Sequence, residues 1–358
     1  MAGLHPAEQR RPDHHRRINS RVDDSSALTQ SLITRAHELG FALTGIATLE
    51  PIDRAPQLLD WLDQGKHGSM SWMESHTDLR TDPGRILDHA KSALVVADLY
   101  ATRATNTDTP LKPGEGRIAR YARGRDYHDT MKQRLHTLAD ELRALAPDSD
   151  TKCVVDTAPV HERELAQRAG LGWIGKHTLL IHPKAGSYML LGALVTTLDL
   201  TPPSSQPTIT DHCGSCTRCI DACPTHAITP YSVDATKCIA YLTIEHRTPI
   251  DPALHEGIGD WAFGCDICQE VCPHNSPRTP ESLDPNHRTP NPVYHSTRDR
   301  LDLRDILTWT PEDRSRELKG SAMKRSKLDM LKRNAMIVLK NQGVDFTSSC
   351  EHPTDPCP

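Results

Sequence analysis

Seven of the eleven cysteines lie in two short runs whose spacing is typical of iron–sulfur chemistry. The first run, over residues 213–224, has the pattern Cys-x2-Cys-x2-Cys-x3-Cys-Pro, and the second, over residues 265–273, repeats its last three cysteines. In a two-cluster ferredoxin, three cysteines spaced in this way bind one 4Fe–4S cluster, and the cysteine before the proline binds the other. The spacing therefore predicts a pair of 4Fe–4S clusters.

Two cubanes with four cysteine ligands each need eight thiolates, and the two runs supply seven. Cys238, which lies between the runs, is the best candidate for the missing ligand. We expect the first cluster to be bound by Cys213, Cys216, Cys219 and Cys272, and the second by Cys223, Cys238, Cys265 and Cys268. The other cysteines are interpreted as a buried strand residue, Cys153, and two tail thiols, Cys350 and Cys357.

Structural zinc and disulfide bonds are the alternative interpretations of these cysteines. Zinc sites usually combine two Cys-x2-Cys pairs, or one pair with histidines, and they do not need the observed run. An intracellular chain would keep its cysteines reduced. The spacing therefore favours iron–sulfur clusters.

The composition limits the classes of protein that the chain can form. With 358 residues and a mass of 39.8 kDa, it can form two modest domains or one larger domain with an insertion. Its 42 basic and 47 acidic side chains give a formal charge of −5, which excludes a surface that is cationic throughout but allows a local basic patch. The longest apolar stretch, residues 188–198, is shorter than the ~20 residues of a membrane span, and no signal peptide is recognisable. The composition predicts a soluble, cytoplasmic protein.

Helices and strands are mixed up to residue 200, which predicts an α/β (α+β) core. Strands are expected at residues 41–50, 92–100, 152–156 and 188–196, and helices at residues 26–40, 56–65, 126–146 and 159–169. Helical spacing returns over residues 301–341. The predicted order is a disordered tail (1–22), the core (23–200), a ferredoxin-like domain (201–285), a basic helical segment (286–341) and a second disordered tail (342–358).

Electrons that leave two clusters need an acceptor, so polar residues near strand ends of the core are candidates for a second site. They are Arg80, Tyr121, His128, Asp156, Lys176 and Ser187. The simpler interpretation of Asp156 is a turn or helix-capping residue, and the simpler interpretation of Arg80 and Lys176 is an ion-pair or surface role. No G-x-G-x-x-G turn follows a strand, which argues against a dinucleotide-binding domain, and the corrinoid motif D-x-H-x-x-G is absent.

Several long segments resemble the epoxyqueuosine reductase family, whose members use iron–sulfur clusters and cobalamin in the last step of queuosine synthesis in tRNA. These are DTAPVHERELAQRAGLGWIGKHTLLIHPKAGSYMLLG, CGSCTRCIDACPTHAI, CIAYLTIEHRTPI and GCDICQEVCP. Shorter matches, WMESHTDLRTDP, GRDYH and GSAMKRSKLDMLKRNAMIVLKN, extend the resemblance over about residues 32–341. His177 departs from the asparagine expected in the family.

The resemblance implies a cobalamin between the core and the ferredoxin-like domain, as in the related corrinoid reductive dehalogenases. It implies that Asp156 is the proton donor, and a carboxylic acid in a closed pocket can keep its proton near neutral pH. It also implies that a cytoplasmic monomer reduces epoxyqueuosine to queuosine at the tRNA wobble position, with electrons from an external low-potential donor. The cofactor and substrate would be surrounded by Arg80, Tyr121, His128, Asp156, Lys176 and Ser187.

A basic segment near the C-terminus is a candidate for contact with tRNA. Residues 314–340 contain nine lysines and arginines against Glu317 and Asp329. Apolar residues supply one side of the helix and leave the basic side free for phosphates, although a charged run is usually a solvated face. The candidate contacts are Lys324, Arg325, Lys327, Lys332 and Arg333.

Two other functions are compatible with the clusters. One is a corrinoid-dependent, dehalogenase-like reductase of a small molecule, which predicts no affinity for tRNA. The other is a non-catalytic ferredoxin-type electron carrier, which leaves the core of about 200 residues without a role.

Overall fold

The computed structural model describes residues 14–101, 110–276 and 290–345, with only the backbone for residues 14–24. Most of both predicted tails, together with Cys350 and Cys357, lies outside the described residues. The helices are α1 (His14–Glu38), α2 (Ala55–Asp63), α3 (Thr77–Thr81), α4 (Tyr127–Leu145), α5 (Glu162–Arg168), α6 (Arg218–Asp221), α7 (Ile239–Ile244), α8 (His255–Ile258), α9 (Ile267–Glu270), α10 (Leu303–Thr308), α11 (Pro311–Glu317) and α12 (Leu328–Asn341). The strands are β1 (Leu43–Thr48), β2 (Ser92–Leu99), β3 (Glu115–Ile118), β4 (Thr151–Val154), β5 (Trp173–Ile174), β6 (Leu180–Ile181), β7 (Met189–Thr196), β8 (Ile228–Thr229), β9 (Ser232–Val233), β10 (Trp261–Phe263) and β11 (Arg300–Asp302).

The main sheet contains β1, β2, β7 and β4 in this spatial order, and all of its neighbours are antiparallel. Every residue of β2 is buried, because helices cover both faces of the sheet. Leu94 and Val96 pack in the same apolar cluster as the inner side of α4, whereas Ala93 and Val95 pack with Leu165 of α5. A mixed core is confirmed, and its antiparallel sheet makes α+β the better description.

A second, three-stranded sheet joins distant parts of the chain. Its central strand β3 pairs in parallel with β10, which leads into the second cysteine run, and antiparallel with β11 of the C-terminal segment. Strands from all three predicted domains therefore share one sheet. The domain boundaries at residues 200 and 285 stay a prediction, but the three segments are joined by backbone hydrogen bonds.

A buried ion pair fastens the second cysteine run to the core. Arg120, which follows β3, donates to Asp266 Oδ2 from its backbone N at 2.7 Å and from its guanidinium at 3.2 Å. The same guanidinium donates to Glu270 Oε1 at 2.5 Å. Asp266 is 2% exposed, and burial raises its pKa to about 6, although Arg120 opposes this shift. Because Asp266 lies between Cys265 and Cys268, the ion pair positions the run.

Three elements differ from the sequence prediction. The backbone of α1 is helical from His14, whereas the predicted tail extended to residue 22. Helix α5 begins at Glu162 rather than near Pro159, because the preceding residues form a loop in which Asp156 has a positive φ. The C-terminal helical segment is divided, since Thr310 caps a new helix that starts at Pro311. Within the described ranges, every helix is too short or too polar to span a lipid bilayer.

Replacement of Arg120 by methionine should leave the Asp266 carboxyl group buried without its partner. Breaking a buried ion pair in this way costs about 3–5 kcal/mol in the free energy of unfolding. Urea denaturation of the reconstituted protein measures the loss. The control is Arg316→Met, because the Arg316 side chain is 67% exposed and should contribute less than about 1 kcal/mol. Equal losses for the two variants would contradict the anchoring role of Arg120.

Candidate active site and cluster cavities

The first cysteine group, Cys213, Cys216, Cys219 and Cys272, lines a cavity of about 170 Å³. Burial, followed by the neighbouring thiols of Cys272, Cys213 and Cys216, raises the pKa of Cys219 to about 11. One water molecule needs about 10–15 Å³ of such a cavity, so the space beside the thiols is larger than the position of a single water. Four thiols around such a space are the donor set that a 4Fe–4S cubane needs.

The second cysteine group consists of Cys223, Cys238, Cys265 and Cys268. Cys223, Cys238 and Cys268 pack in one small apolar cluster. Burial raises the pKa of the Cys265 thiol, and the neighbouring thiols of Cys268 and Cys238 add to this shift. Burial, then Cys238, raises the pKa of Cys268, and Cys219 of the first group adds to this shift. The structure thus brings together both expected ligand sets and makes them neighbours. In the described part of the chain, no three His, Cys, Asp or Glu side chains converge on the position of a single metal ion.

The hairpin of β5 and β6 carries Lys176 and His177 to the first cysteine group. Its tip is tight, and Thr178 has a left-handed φ of 66°. The Lys176 ammonium donates to the backbone carbonyls of Gly214 at 2.6 Å and Cys216 at 3.0 Å. Lys176 was expected around the corrinoid, but its charged end holds the first cysteine run.

Ser187 was also expected around the cofactor, but in the structure its polar atoms form hydrogen bonds in and beside the second cysteine run. Its hydroxyl accepts hydrogen bonds from Asn275 Nδ2 at 2.8 Å and from Gln269 Nε2 at 3.0 Å. Its backbone N donates to Asn275 Oδ1 at 2.8 Å. All three residues are buried. Ser187 therefore fastens the second cysteine run to the start of β7.

Asp156 lies in the loop after β4, and its φ of 49° is in the left-handed region that non-glycine residues rarely adopt. Strain of this kind is concentrated at functional sites. Asp156 Oδ2 is 2.9 Å from Nε2 of His128, and Nδ1 of His128 is 2.8 Å from Oδ1 of Asp126. Asp126 is also the N-cap of α4. The imidazole is therefore held between two carboxyl groups.

The two carboxyl groups keep a proton on His128. Burial lowers the pKa of His128, but hydrogen bonds and charges from Asp126 and Asp156 outweigh it and raise this pKa to about 9. Burial alone would raise the pKa of Asp156. The hydrogen bond and charge of His128, the hydrogen bond of Tyr127 and the charge of Arg325 outweigh burial and lower this pKa. At neutral pH the shared proton therefore lies on His128, and Asp156 is a carboxylate. The expectation that Asp156 keeps its own proton is corrected in this respect.

Glu162, the first residue of α5, is a further carboxyl group beside Asp156. Its Oε1 accepts a hydrogen bond from the backbone N of Asp156 at 2.5 Å. Burial, together with the charge of Asp156, raises the pKa of Glu162 to about 8, so it is protonated at neutral pH. Sequence reasoning missed Glu162 because an acidic residue in the first turn of a helix is ordinary. Its distance of six residues from Asp156 gave no separate signal.

Two tyrosines form one wall of the site. Tyr127 stacks on His128 with ring centroids 4.0 Å apart, and Tyr121 lies edge-on to Tyr127 at 6.2 Å. On its other side Tyr121 packs at 6.4 Å against Phe263 of β10, the strand that leads into the second cysteine run. Burial, then the charge of Asp156, raises the pKa of Tyr121. Tyr121 therefore connects the surroundings of Asp156 with the second cysteine group.

Arg325 reaches this site from the C-terminal segment. Its guanidinium lies 5.1 Å from the ring centroid of Trp72 and donates to the two carboxylate oxygens of Glu245 at 2.9 and 3.1 Å. The Arg325 side chain is still 49% exposed, and its charge contributes to the lowered pKa of Asp156. One of the expected tRNA contacts is thus close to the expected proton donor. Neither Trp72 nor Glu245 was singled out in the sequence.

The other basic residues of this segment fall into two sets. Arg333 donates to backbone carbonyls between residues 242 and 248 at 2.6–2.7 Å, so its guanidinium stabilises the packing of α12. The expected phosphate contact of Arg333 is replaced by this internal role. Lys324 and Lys327 are exposed, and Lys332 is partly exposed. These lysines remain candidates for contact with phosphates.

Arg80, the remaining expected site residue, lies near Glu162. It donates to the backbone O of Trp72 at 3.2 Å, and burial lowers its pKa while the charge of Glu162 opposes the shift. Its Nε, like Nδ1 of His161, is buried and has no hydrogen-bond partner among the described residues. Cobalamin carries amide groups around its ring, which can pair with such atoms. The residues on this side of the site therefore fit the cofactor.

The fold and the two cysteine groups define an iron–sulfur oxidoreductase, and comparisons with known proteins agree. Residues 212–275 match the family described as "4Fe-4S double cluster binding domain", and residues 80–157 match the family described as "Epoxyqueuosine reductase QueG, DUF1730". The epoxyqueuosine reductase of Synechococcus sp. strain CC9605 is 40% identical over 320 residues, covering 88% of this chain and 95% of that protein. The reductase of Xanthomonas campestris pv. campestris is 40% identical over 330 residues, covering 90% and 89%. The chain belongs to the epoxyqueuosine reductase family.

Solved structures show the same relation. An epoxyqueuosine reductase bound to an epoxyqueuosine-modified stem loop of tyrosine tRNA is 28% identical and has a TM-score of 0.74, covering 88% of this chain and 82% of that one. The Bacillus subtilis reductase, solved with its catalytic loop swung out of the active site, is 27% identical. Its TM-score is 0.75, with coverage of 90% and 83%.

Replacement of Cys238 by alanine should remove one ligand of the second cluster. We expect the iron content after anaerobic reconstitution to fall from about eight to about four atoms per chain, because each cubane depends on four thiolates. Iron analysis together with electron paramagnetic resonance measures this loss. Cys153→Ala is the control, since Cys153 lies in β4 and belongs to neither cysteine group. Full iron content in the Cys238 variant would exclude Cys238 as a ligand.

Proposed function

We propose that this protein reduces epoxyqueuosine in tRNA to queuosine, with two 4Fe–4S clusters and cobalamin as cofactors. Its family supports the reaction, and the complex of a relative with an epoxyqueuosine-modified tRNA stem loop supports the substrate. The observation that carries the proposal is the position of the His128–Asp156 pair. This pair holds a proton beside Tyr121, and Tyr121 packs against the strand that leads into the second cysteine run.

The chemistry needs both a proton source and an electron source in one place. Conversion of an epoxide to an alkene consumes two electrons and two protons and releases the oxygen as water. The clusters and cobalamin, when bound, supply the electrons at low potential. The residues of this chain hold the cofactors, orient the modified base and deliver the proton to the leaving oxygen.

Asp156 donates the proton to the substrate, and His128 supplies this proton to Asp156. In the free site His128 carries the proton, 2.9 Å from Asp156. As the epoxide C–O bond breaks, negative charge grows on its oxygen. The proton then moves from Nε2 of His128 to Asp156 Oδ2, and from Asp156 to that oxygen, while solvent supplies the second proton with which the oxygen leaves as water. General acid catalysis of this kind contributes about 10²–10⁴-fold to a rate.

The corrinoid would be held on the side of the site where Arg80 and His161 have buried atoms without a hydrogen-bond partner and where the charge of Asp156 acts on Tyr121. Arg80, Tyr121, His128 and Asp156 are the residues proposed to contact the cofactor or the modified base. Lys176 and Ser187 support it indirectly, because they hold the two cysteine runs in place. The first cysteine group would hold the cluster that accepts electrons from the donor, and the second would hold the cluster that supplies them to the cofactor.

The tRNA is proposed to approach along the C-terminal segment. Lys324, Lys327 and Lys332 offer charge for phosphates, and Arg325 extends the positive surface to the site itself. The anticodon loop is single-stranded, so the modified base can leave the stack and enter a pocket. An external low-potential donor and a monomeric state complete the proposal.

The direct test is nucleoside analysis of epoxyqueuosine-containing tRNA after anaerobic incubation with the reconstituted protein, cobalamin and a low-potential reductant. We expect queuosine to form only when cobalamin is present. Asp156→Asn should lower the initial rate about 10²–10⁴-fold while iron and cobalamin content stay unchanged. Asparagine tolerates the left-handed backbone of residue 156, so the loop should keep its shape.

The matched control is Asp129→Asn, which removes an exposed carboxylate from the same helix as His128. Its rate should equal that of the unaltered protein. If Asp156→Asn also turns over at the original rate, Asp156 is not the proton donor. If protein with eight irons and bound cobalamin forms no queuosine, the substrate assignment is wrong and a small-molecule reductase becomes the better account.

A further inference from the structure

His177 is a buried imidazole that the proposed reaction does not use. It is 3% exposed and lies at the tip of the hairpin formed by β5 and β6. Its side chain lines the cavity of the first cysteine group, together with Cys213, Cys216, Cys219 and Cys272. A polar ring at the wall of an apolar, thiol-lined space requires an explanation, because buried polar groups are normally paired.

The hydrogen bonds of His177 fix which nitrogen carries its proton. Nδ1 accepts a hydrogen bond from the backbone N of Leu179 at 3.2 Å, so Nδ1 is without a proton. Nε2 must then be the N–H of the neutral ring. This N–H is buried, and no acceptor lies within hydrogen-bond distance in the described part of the protein. An unpaired buried donor of this kind destabilises the folded protein unless a bound group accepts its hydrogen bond.

A second buried donor lies on the same wall. Burial raises the pKa of the Cys213 thiol, and the indole N–H of Trp173 interacts with this thiol and opposes the shift. Trp173 packs in one small cluster with Cys272 and Cys213. The unpaired Nε2–H of His177 beside four thiols indicates that its acceptor belongs to what the thiols bind. Sulfur atoms of a 4Fe–4S cluster are acceptors for such donors.

We infer that the Nε2–H of His177 donates a hydrogen bond to a sulfur of the cluster bound by the first cysteine group, and so raises the reduction potential of that cluster. The reduced cluster carries one more negative charge than the oxidised cluster, so a donor at its sulfur stabilises the reduced form more strongly. Because electrons are proposed to enter here, His177 favours their acceptance from the external donor. The inference rests on the cluster assignment in the proposed function.

Three variants separate the bond to the cluster from the bond to Leu179. His177→Phe removes both nitrogens. His177→Asn keeps an acceptor where Nδ1 stood but cannot reach the cluster. His177→Gln extends an amide N–H to the position of Nε2 and gives up the acceptor for Leu179. If His177 had only a structural role, the reduction potential would change in the variants that lose the hydrogen bond from Leu179, which are Phe and Gln. In the inferred role, the potential changes in the variants whose side chain places no N–H at the cluster, which are Phe and Asn.

The measurement is a redox titration of the reconstituted protein, with both clusters followed by electron paramagnetic resonance and without tRNA. For the first cluster, we expect the ratio of reduced to oxidised form at a fixed solution potential to fall about tenfold in the Phe and Asn variants, or about 59 mV. The Gln variant should stay within about twofold of the unaltered protein. The potential of the second cluster is the internal control and should stay the same in all variants.

A spectroscopic signature tests the bond itself. After exchange into deuterium oxide, pulsed electron–nuclear spectroscopy of the reduced first cluster should show one coupled deuteron fewer in His177→Asn than in the unaltered protein. Unchanged potential and unchanged deuteron couplings in the Asn variant would overturn the inference. So would an equal shift in the Asn and Gln variants. If the unaltered protein binds only about four irons, the cluster assignment itself is wrong. That result is distinguishable from a failure of His177 alone.

Discussion

The position of the second cysteine run against the core is the constraint on which the rest of the structure depends. The run is short and has little apolar surface of its own, so buried polar contacts hold it. Arg120 binds Asp266 between two cysteines of the run, and Ser187 binds Gln269 and Asn275 on either side of the last one. Removal of one partner of a buried ion pair is strongly destabilising, because the remaining charge has neither solvent nor a partner. The electron source therefore has one fixed position relative to Asp156.

Interactions between buried charges also determine which residues of the candidate active site carry a proton. The carboxyl groups of Asp126 and Asp156 flank the imidazole of His128, and Glu162 contacts the backbone of Asp156. The two flanking carboxylates keep a proton on His128, whereas burial and the charge of Asp156 keep a proton on Glu162. The raised pKa of His128 also links the site to stability. Its contribution is complete below about 6.5, the ordinary pKa of histidine, and is lost as the pH rises through about 9.

The sequence predicted those features that have a strong local pattern. Cysteine spacing is set by cluster geometry, and the structure gathers the thiols in the two expected groups. Long helices and buried strands such as α4 and β2 were also predicted, because their apolar residues repeat over many positions. The short strands β3, β10 and β11 were missed, since three or four residues carry no periodic signal. The sheet that joins all three segments could not be predicted for that reason.

Pairings between distant residues were beyond sequence reasoning. Nothing in the spacing of His128 and Asp156 shows that they share a proton. The basic residues near the C-terminus share one composition but differ in role, because Arg333 points to internal carbonyls and Arg325 to the site. Lys176 and Ser187 were expected around the cofactor, but the polar partners of each lie in or beside a cysteine run that only the fold brings close.

The central claim is that His128 stores the proton that Asp156 delivers, and the pH profile of the reaction with Asp126→Asn tests it most directly. Asparagine keeps the N-cap of α4 but removes one of the two charges that raise the pKa of His128. In the unaltered protein, kcat/KM for the tRNA should fall as the pH rises through about 9, because His128 then loses its proton. In Asp126→Asn this fall should occur at lower pH. A basic limb that stays in the same place in both proteins would contradict the account.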